Sequence, residues 1–333
     1  MLKIIDCTLR DGGYVNNFNF GLNEIKSIIE HLEKSKIDII ELGFLRNEET
    51  SPDRTIYNCL ADAKMKINDL SENTQFAVML QQDQYDSDNL DDCDGSISHI
   101  RCAFHINDIK EGLDSCRKII DKGYLCHINP INLLSYTKEQ FINLINTVNE
   151  IKPYTFTIVD TLGYMKNDDL RKIISFIESE LNPGITLGIH LHEHLSLSFS
   201  NAILFTQLKS KERSISIDAS LNGIGRLPGN LCIELIMQYL NDNYKKEYNT
   251  DAIYNAIDDY ITPIKKEHPW GYSLPYALSA QHKVHRTYVE YLLSKRNLKT
   301  IDINNILKLI PDDKKQIYNK DYIEKIYKDY VAK

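Results

Sequence analysis

The chain has 333 residues, of which 26% are charged and 42% are apolar, so its composition is that of a globular protein with a core of good size. Its net charge of −8 argues against nucleic acid as the main partner, and no apolar run approaches the roughly 20 residues that span a membrane. The seven cysteines lack CxxC spacing, which argues against a cysteine-rich zinc site and favours reduced thiols in a cytoplasmic protein.

Short apolar or β-branched runs alternate with helical patterns along the first 240 residues. The runs predict eight strands, over residues 2–7, 37–44, 75–80, 99–104, 124–128, 154–159, 185–191 and 214–219. Between them, apolar residues at helical spacing predict helices over residues 22–34, 54–65, 109–121, 138–151, 168–180, 197–208 and 231–240. The third connection, residues 83–93, is acidic and has a weaker pattern, so any helix there is expected to be short.

Continuous apolar strands that alternate with helices are typical of a parallel sheet covered on both faces. Eight such units favour an α/β fold of the (β/α)8 TIM-barrel type, and an open doubly wound sheet is the alternative. After residue 245 the pattern changes to helical runs rich in Tyr and Lys. We therefore predict a barrel domain over residues 1–245 and a small helical extension over residues 246–333, which caps the barrel or contacts a partner or a second copy of the chain.

Polar residues follow the ends of several predicted strands, and a barrel would gather them at one mouth. Asp11 follows the first strand, while His190 and His192 end the seventh and share one face of an extended chain. Two imidazoles and one carboxylate form a three-ligand set with open positions, which a catalytic metal needs. This donor set suits Mn²⁺, Zn²⁺, Co²⁺ or Fe²⁺ better than Ca²⁺, and Mg²⁺ is an option if water completes its shell.

Two further charged residues accompany these candidate ligands. Arg10 precedes Asp11, where it is either a surface ion pair or a fixed cation that stabilises negative charge on a substrate oxygen. Glu41 lies inside the buried run of the second strand, where an acid is rarely left unpaired. Arg10 is its natural partner, and this ion pair would hold the guanidinium group rigid.

Four motifs in combination resemble the DRE-TIM metallolyase superfamily. They are Asp6-Cys7-Thr8-Leu9-Arg10-Asp11-Gly12, Glu41-Leu42-Gly43-Phe44, His190-Leu191-His192 with Asn201, and Asp218-Ala219-Ser220-Leu221-Asn222-Gly223-Ile224-Gly225 with Gly229-Asn230. The segment His194-Leu195-Ser196-Leu197 is most similar to the 4-hydroxy-2-oxovalerate aldolase branch. The resemblance covers residues 1–240 and implies a TIM barrel, a divalent metal and the cleavage or formation of a carbon–carbon bond through a metal-bound enolate.

The resemblance also implies a role for each matched residue. Asp11, His190 and His192 are the implied metal ligands, and Asn230 stands where some members place a further ligand or a neighbour of the ligands. Arg10 is the implied stabiliser of the enolate. The expected metal is Mn²⁺, with Mg²⁺, Co²⁺ or Zn²⁺ as alternatives.

One departure from the aldolase branch concerns the catalytic base. That branch typically carries a histidine three positions after the metal-binding aspartate, and here the position is Tyr14. A tyrosine can also transfer protons. His105, after the fourth strand, and Tyr272, which stands where the branch carries a tyrosine, are the other main candidates. His127 and His194 are further alternatives, and each of these side chains could instead be an ordinary packed residue.

Three residues near strand ends are candidates for substrate binding. Thr161 follows the sixth strand and Asn222 follows the eighth. Arg226 lies in the glycine-rich loop after the eighth strand, where barrels often bind phosphate. The loop either binds a carboxylate or phosphate through Arg226 or is a tight turn before a helix.

The leading interpretation is a metal-dependent aldolase that cleaves or forms a carbon–carbon bond of a 4-hydroxy-2-oxo acid through a pyruvate enolate. A Claisen-type acyl-CoA condensing enzyme or lyase uses the same enolate, and an Fe²⁺ oxygenase also uses two histidines and a carboxylate. A barrel that lost activity and binds a partner is the non-enzymatic alternative, motivated by Tyr14. By resemblance, the extension would dock an aldehyde dehydrogenase or close a homo-oligomer. The aldehyde and the direction of the reaction stay open.

Overall fold

The computed structural model describes residues 1–67 and 74–332. Within these residues, eight parallel strands form the sheet of a barrel. They are β1 (Leu2–Asp6), β2 (Ile39–Leu45), β3 (Gln75–Gln81), β4 (His99–Phe104), β5 (Leu125–Pro130), β6 (Thr155–Val159), β7 (Thr186–His190) and β8 (Ile215–Ala219). Strand β1 pairs with β8 on one side and with β2 on the other, so the sheet closes on itself. This closure confirms the (β/α)8 barrel and excludes the open doubly wound sheet.

Helices cover the outside of the barrel. They are α1 (Leu22–Lys34), α2 (Leu60–Lys64), α3 (Ile109–Asp121), α4 (Lys138–Ile151), α5 (Asn167–Glu180), α6 (Ser198–Leu208) and α7 (Ile233–Tyr244). Helix α1 shows why they form, because Ile25, Ile28, Ile29 and Leu32 recur at helical spacing and are buried against the sheet. Every described strand except β3 is thus followed by a helix on the outside of the sheet, which explains why the apolar runs of the strands are continuous.

The sequence predicts a helix over residues 54–65, and this prediction is wrong for the first half of the segment. A two-residue strand, Ile56–Tyr57, lies beside β2, and the helix is confined to Leu60–Lys64. The extended backbone is held because the Thr55 carbonyl accepts a hydrogen bond from the Phe44 amide at 3.0 Å. The third connection contains only a 3-10 turn, Ser87–Asn89, in agreement with its weak helical pattern.

The chain after residue 245 is helical, as predicted. Its elements are α8 (Thr250–Ala256), a π-helical turn (Ile257–Ile261), α9 (Thr262–Glu267), α10 (Leu274–Gln281), α11 (Arg286–Leu293), α12 (Thr300–Lys308) and α13 (Lys320–Val331). Tyr248, Ile253 and Ile261 belong to the barrel core, whereas a separate apolar cluster runs from Tyr276 to Ile323. The domain boundary at residue 245 stays a prediction. None of the described helices is long and apolar enough to cross a membrane.

Gly43 is required where β2 bends. Its φ is +151°, and a Cβ added there would lie 2.0 Å from the carbonyl oxygen of Thr55. The pairing of β2 with β3 shifts register between Glu41 and Phe44, so the bend occurs beside a residue of the candidate site. Glycine is the residue that tolerates both the backbone angle and the close approach.

We expect Gly43→Ala to lower the free energy of unfolding by about 2 kcal/mol or more, because the backbone oxygen cannot move aside without breaking the bend. Urea unfolding followed by circular dichroism measures this change. Gly184→Ala is the matched control, since a Cβ there meets no described atom within 4 Å. Equal stability of the two variants would contradict the steric argument.

Candidate metal centre and the cavity around it

A cavity of about 890 Å³ opens at the carboxyl ends of the strands. Its wall includes Arg10 and Asp11 after β1, His190 at the end of β7, and His192 two residues later. The barrel is the reason for this convergence, because parallel strands deliver their last residues to the same rim. The extension completes the wall through residues that include Arg286.

Three ligand atoms face one another at the floor of the cavity. The Nε2 atoms of His190 and His192 lie 3.9 and 3.7 Å from Oδ2 of Asp11. Nδ1 of His190 lies 3.0 Å from a carboxylate oxygen of Asp218, and Nδ1 of His192 lies 2.8 Å from the carbonyl oxygen of Asp160. Both partners accept hydrogen bonds, so each Nδ1 carries the proton and each Nε2 presents its lone pair to Asp11.

Buried polar atoms that lack a hydrogen-bond partner indicate whether a cation fits between Asp11, His190 and His192. The buried side-chain atoms without a hydrogen-bond partner include Oδ2 of Asp11 and Oδ1 of Asn230. Two atoms that bind one ion at roughly 2.1 Å each can lie up to about 4.2 Å apart, so the separations at Asp11 permit a shared ion. The backbone of Asn230 is paired with that of His192 in an antiparallel β-bridge, which places this residue next to the group. Two imidazoles, a carboxylate and an amide oxygen fit a divalent transition metal.

The protonation states of Asp11 and His192 favour the binding of a cation. Burial alone would raise the pKa of Asp11, but the Arg10 guanidinium and the two imidazoles outweigh it and hold the pKa well below its usual range. Burial, reinforced by His190, lowers the pKa of His192 to about 3. At neutral pH the aspartate is therefore ionised and His192 is neutral, so no proton on either group opposes a metal.

Buried ion pairs connect the candidate ligands through the barrel interior. Arg10 binds Oδ1 of Asp11 through Nη1 and Oε2 of Glu41 through Nε, both at 2.7 Å. Arg101 binds the same oxygen of Glu41 at 3.0 Å and also binds Asp218. Asp218 in turn accepts a hydrogen bond from His190, and His190 lies next to Asp11. These side chains therefore form a closed circuit of contacts.

Two members of this circuit, Arg101 and Asp218, escaped the sequence analysis. Arg101 is fully buried in β4 among apolar residues, the same signal that drew attention to Glu41. Asp218 lies inside a motif that carried the family resemblance, but nothing in its spacing pointed to His190. Arg46, His285 and Arg286 also line the cavity and were missed.

The structure brings four other predicted residues to this cavity: Tyr14, His105, Thr161 and Arg226. The Tyr14 hydroxyl accepts a hydrogen bond from Arg46 at 3.0 Å. His105 lies at the exposed rim, with Nε2 3.2 Å from the Gln81 amide nitrogen. Thr161 accepts a hydrogen bond from the backbone amide of Asn132 at 2.7 Å.

Tyr272 and Asn222 lie outside the described cavity wall. Tyr272 is 65% exposed. Asn222 instead anchors the extension, because its carbonyl oxygen accepts a bond from the Trp270 indole at 2.9 Å and its side chain accepts one from Lys265 at 3.3 Å.

The two alternative histidines are also away from the described wall. His127 is fully buried, and its Nε2 lies 2.8 Å from Nδ1 of His99. His194 is buried with its ring centre 6.1 Å from that of His192. Burial lowers the pKa of both His127 and His194 well below the ordinary value, so both are neutral packed side chains at neutral pH.

Comparison with known proteins finds similarity to a family model and to several named aldolases and synthases. Residues 101–259 match the model of the HMGL-like family. The chain is 25% identical to 4-hydroxy-2-oxovalerate aldolase of Pseudoalteromonas translucida, over 78% of this chain and 75% of the aldolase. It is 22% identical to 2-isopropylmalate synthase 1 of Caldanaerobacter subterraneus, over 76% of this chain and 66% of the synthase. The chain spans about half to two thirds of the length of the synthases it matches.

Solved structures support the fold. The N-terminal domain of a protein from Bacteroides vulgatus superposes with a TM-score of 0.75 at 23% identity, covering 88% of this chain and 96% of that domain. The hydroxymethylglutaryl-CoA lyase of Pseudomonas aeruginosa gives a TM-score of 0.63 at 14% identity, covering 88% of this chain and 97% of the lyase. At these identities the likeness shows the fold alone.

Asp218 accepts a hydrogen bond from the candidate ligand His190, so the removal of its negative charge tests whether it supports metal binding. We expect Asp218→Asn to weaken Mn²⁺ binding about 10- to 100-fold, because the amide no longer fixes the tautomer of His190 or increases its basicity. Titration of free Mn²⁺ by electron paramagnetic resonance measures the affinity. Asp329→Asn, on the exposed face of α13, is the control. A folded Asp218→Asn protein that binds Mn²⁺ as tightly as the control would contradict this role.

Proposed function

We propose that this chain, which carries an HMGL-like domain of the DRE-TIM metallolyase superfamily, is a divalent-metal-dependent pyruvate aldolase acting on a 4-hydroxy-2-oxo acid. Enzymes of this superfamily use a divalent metal for carbon–carbon bond chemistry. The observation that carries the proposal is the meeting of Asp11, His190 and His192 beside Arg10 at the barrel mouth. A metal held there would polarise the 2-oxo group as a Lewis acid.

Arg10 supplies fixed positive charge next to the ligands. Its Nε and Nη1 atoms are held by Glu41 and Asp11, and the side chain is nine-tenths or more buried at the cavity wall. A cation that is oriented before the reaction stabilises the negative charge of an enolate oxygen without reorganisation. Glu41 is therefore a positioning residue, which acts on the substrate through Arg10.

Tyr14 is our candidate for moving the proton of the 4-hydroxyl group. In aldol addition Tyr14 would donate its hydroxyl proton to the aldehyde oxygen, which becomes the 4-hydroxyl group, and Arg46, which donates to the Tyr14 oxygen, would stabilise the phenolate left behind. In cleavage the same phenolate would take the proton from the 4-hydroxyl group. Its ring is packed edge-on against Phe18 and Phe44, which fixes the hydroxyl position. His105 is the second candidate, but it lies at the exposed rim.

A Claisen-type condensation is the second candidate function. The curated relatives include several 2-isopropylmalate synthases as well as the aldolase, and both chemistries use an enolate next to a carbonyl. Turnover of acetyl-CoA with a 2-oxo acid distinguishes this reaction from aldol cleavage.

The metal requirement is the first test of the proposed function. Protein loaded with Mn²⁺ should catalyse the exchange of the methyl protons of pyruvate with solvent deuterium in D₂O, which proton NMR measures. It should also cleave 4-hydroxy-2-oxo acids to pyruvate. Chelation should abolish both reactions, Mn²⁺ should restore them, and Asp11→Asn should lack both. Arg10→Met should slow both by about 10²- to 10³-fold while it still binds Mn²⁺. Activity that survives complete removal of metal would overturn the mechanism.

The role of Tyr14 is tested separately. We expect Tyr14→Phe to reduce the cleavage rate by about 10²- to 10⁴-fold with little change in Mn²⁺ affinity, because the ring packing is kept and only the proton carrier is lost. Steady-state cleavage of a 4-hydroxy-2-oxo acid measures the rate. His105→Asn is the comparison, and a larger loss in that variant would transfer the role to His105.

A further inference from the structure

The cavity is positively charged although the chain as a whole is acidic. Its described wall contains four arginines, Arg10, Arg46, Arg226 and Arg286, against the two aspartates Asp11 and Asp108. The net charge of the chain is −8, so this excess of cations is local. A cavity with such a field attracts anions.

Two of the four arginines have partners inside the protein. Arg10 is bound by Asp11 and Glu41. Arg46 lies over the ring of Phe44 at 4.2 Å and donates to Tyr14. These contacts explain why both side chains are held where they are.

The other two, Arg226 and Arg286, compete for one acid. The same oxygen of Glu290 lies 4.0 Å from Nη2 of Arg226 and 3.7 Å from Nε of Arg286. Both separations are longer than a hydrogen bond, and one carboxylate cannot neutralise two guanidinium groups. Arg226 also lies 5.3 Å from the centre of the Tyr14 ring, which places it beside the candidate proton carrier.

Arg286 is the more exceptional of this pair. It is only 9% exposed, and its Nε has no hydrogen-bond partner among the described residues. Burial, reinforced by Arg226, lowers its pKa to about 10, so it is still charged at neutral pH. A buried cation without a full partner is costly unless an anion joins it. Arg286 also begins α11, and the positive end of a helix favours an anion at the same place.

We propose that Arg226 and Arg286 bind a second anionic group of the substrate, a carboxylate or a phosphate, which belongs to the aldehyde partner. The aldehyde partner of the reaction is then an anionic aldehyde rather than a simple alkyl one. This assignment rests on the proposed function for the identity of the reaction. The binding of an anion by the two arginines can be measured without it.

The test compares charged and neutral aldehydes in aldol addition to pyruvate by the Mn²⁺-loaded enzyme. Succinic semialdehyde is paired with butanal, and glyceraldehyde 3-phosphate with glyceraldehyde, so that the two arms distinguish a carboxylate from a phosphate. We expect kcat/KM for the charged member of one pair to exceed that of its neutral counterpart by about 10- to 100-fold. Equal values within both pairs would overturn the proposal.

Variants assign this preference to the arginines. Arg286→Met and Arg226→Met should each reduce the charged-to-neutral ratio by about tenfold or more through KM, and Arg286→Lys should restore part of it. Arg296→Met, an exposed position after α11, is the matched control, and thermal melts verify that each variant is folded. An unchanged ratio would overturn the proposal. A rise in the KM for pyruvate as large as the rise in the KM for the aldehyde would also overturn the proposal, because the arginines would then bind the 2-oxo acid itself.

A binding experiment separates this inference from the proposed function. Calorimetry on the metal-free protein with succinate and with inorganic phosphate should show binding by one of them, about tenfold or more weaker in Arg286→Met. If the wild-type protein fails to exchange pyruvate protons but still binds one anion through Arg286, the aldolase proposal fails and the anion site stands. If neither anion binds to the wild-type protein, the anion site fails whatever the enzyme does with pyruvate.

Discussion

A closed circuit of buried charges at the barrel mouth is the constraint on which the candidate site depends. Asp11, Arg10, Glu41, Arg101, Asp218 and His190 contact one another in turn, and the last lies next to the first. They come from five strands or the residues directly after them, so the circuit exists only when the barrel has closed. Removing one partner from a buried pair costs about 3–5 kcal/mol, because the other charge is left stranded in the interior.

The balance of charge in this circuit favours a bound cation. Three carboxylates face two guanidinium groups, which leaves one negative charge in a buried place. Three carboxylate oxygens of the circuit lack a hydrogen-bond partner among the described residues, namely Oδ2 of Asp11, Oε1 of Glu41 and Oδ1 of Asp218. Of these, Oδ2 of Asp11 faces both imidazoles. A divalent ion at this point would satisfy the oxygen and compensate the excess charge together. The same arrangement that holds Arg10 in place therefore also prepares the site for a metal.

The sequence predicts the barrel well because its signals are local. Each strand is a continuous apolar run, and each outer helix repeats its apolar residues at helical spacing, so neither needs knowledge of distant contacts. The meeting of Asp11 with His190 and His192 follows from the same logic, since strand ends share a rim. The segment before α2 was misjudged because its extended backbone is fixed by a long-range bond from Phe44 to Thr55. Arg101 was missed because its partners Glu41 and Asp218 lie on other strands, and Arg286 was missed because the cavity that it lines is built mainly by barrel residues far earlier in the chain.

The cavity wall combines two parts of the chain with different tasks. The barrel contributes Asp11, His190 and Arg10, while the helical extension contributes Arg286 and His285 from more than 90 residues further along. Helix α11 packs in its own apolar cluster, which is separate from the barrel core. Under the proposed function, substitutions at the start of α11 would change which aldehydes are accepted, while the candidate metal ligands of the barrel would be inherited unchanged.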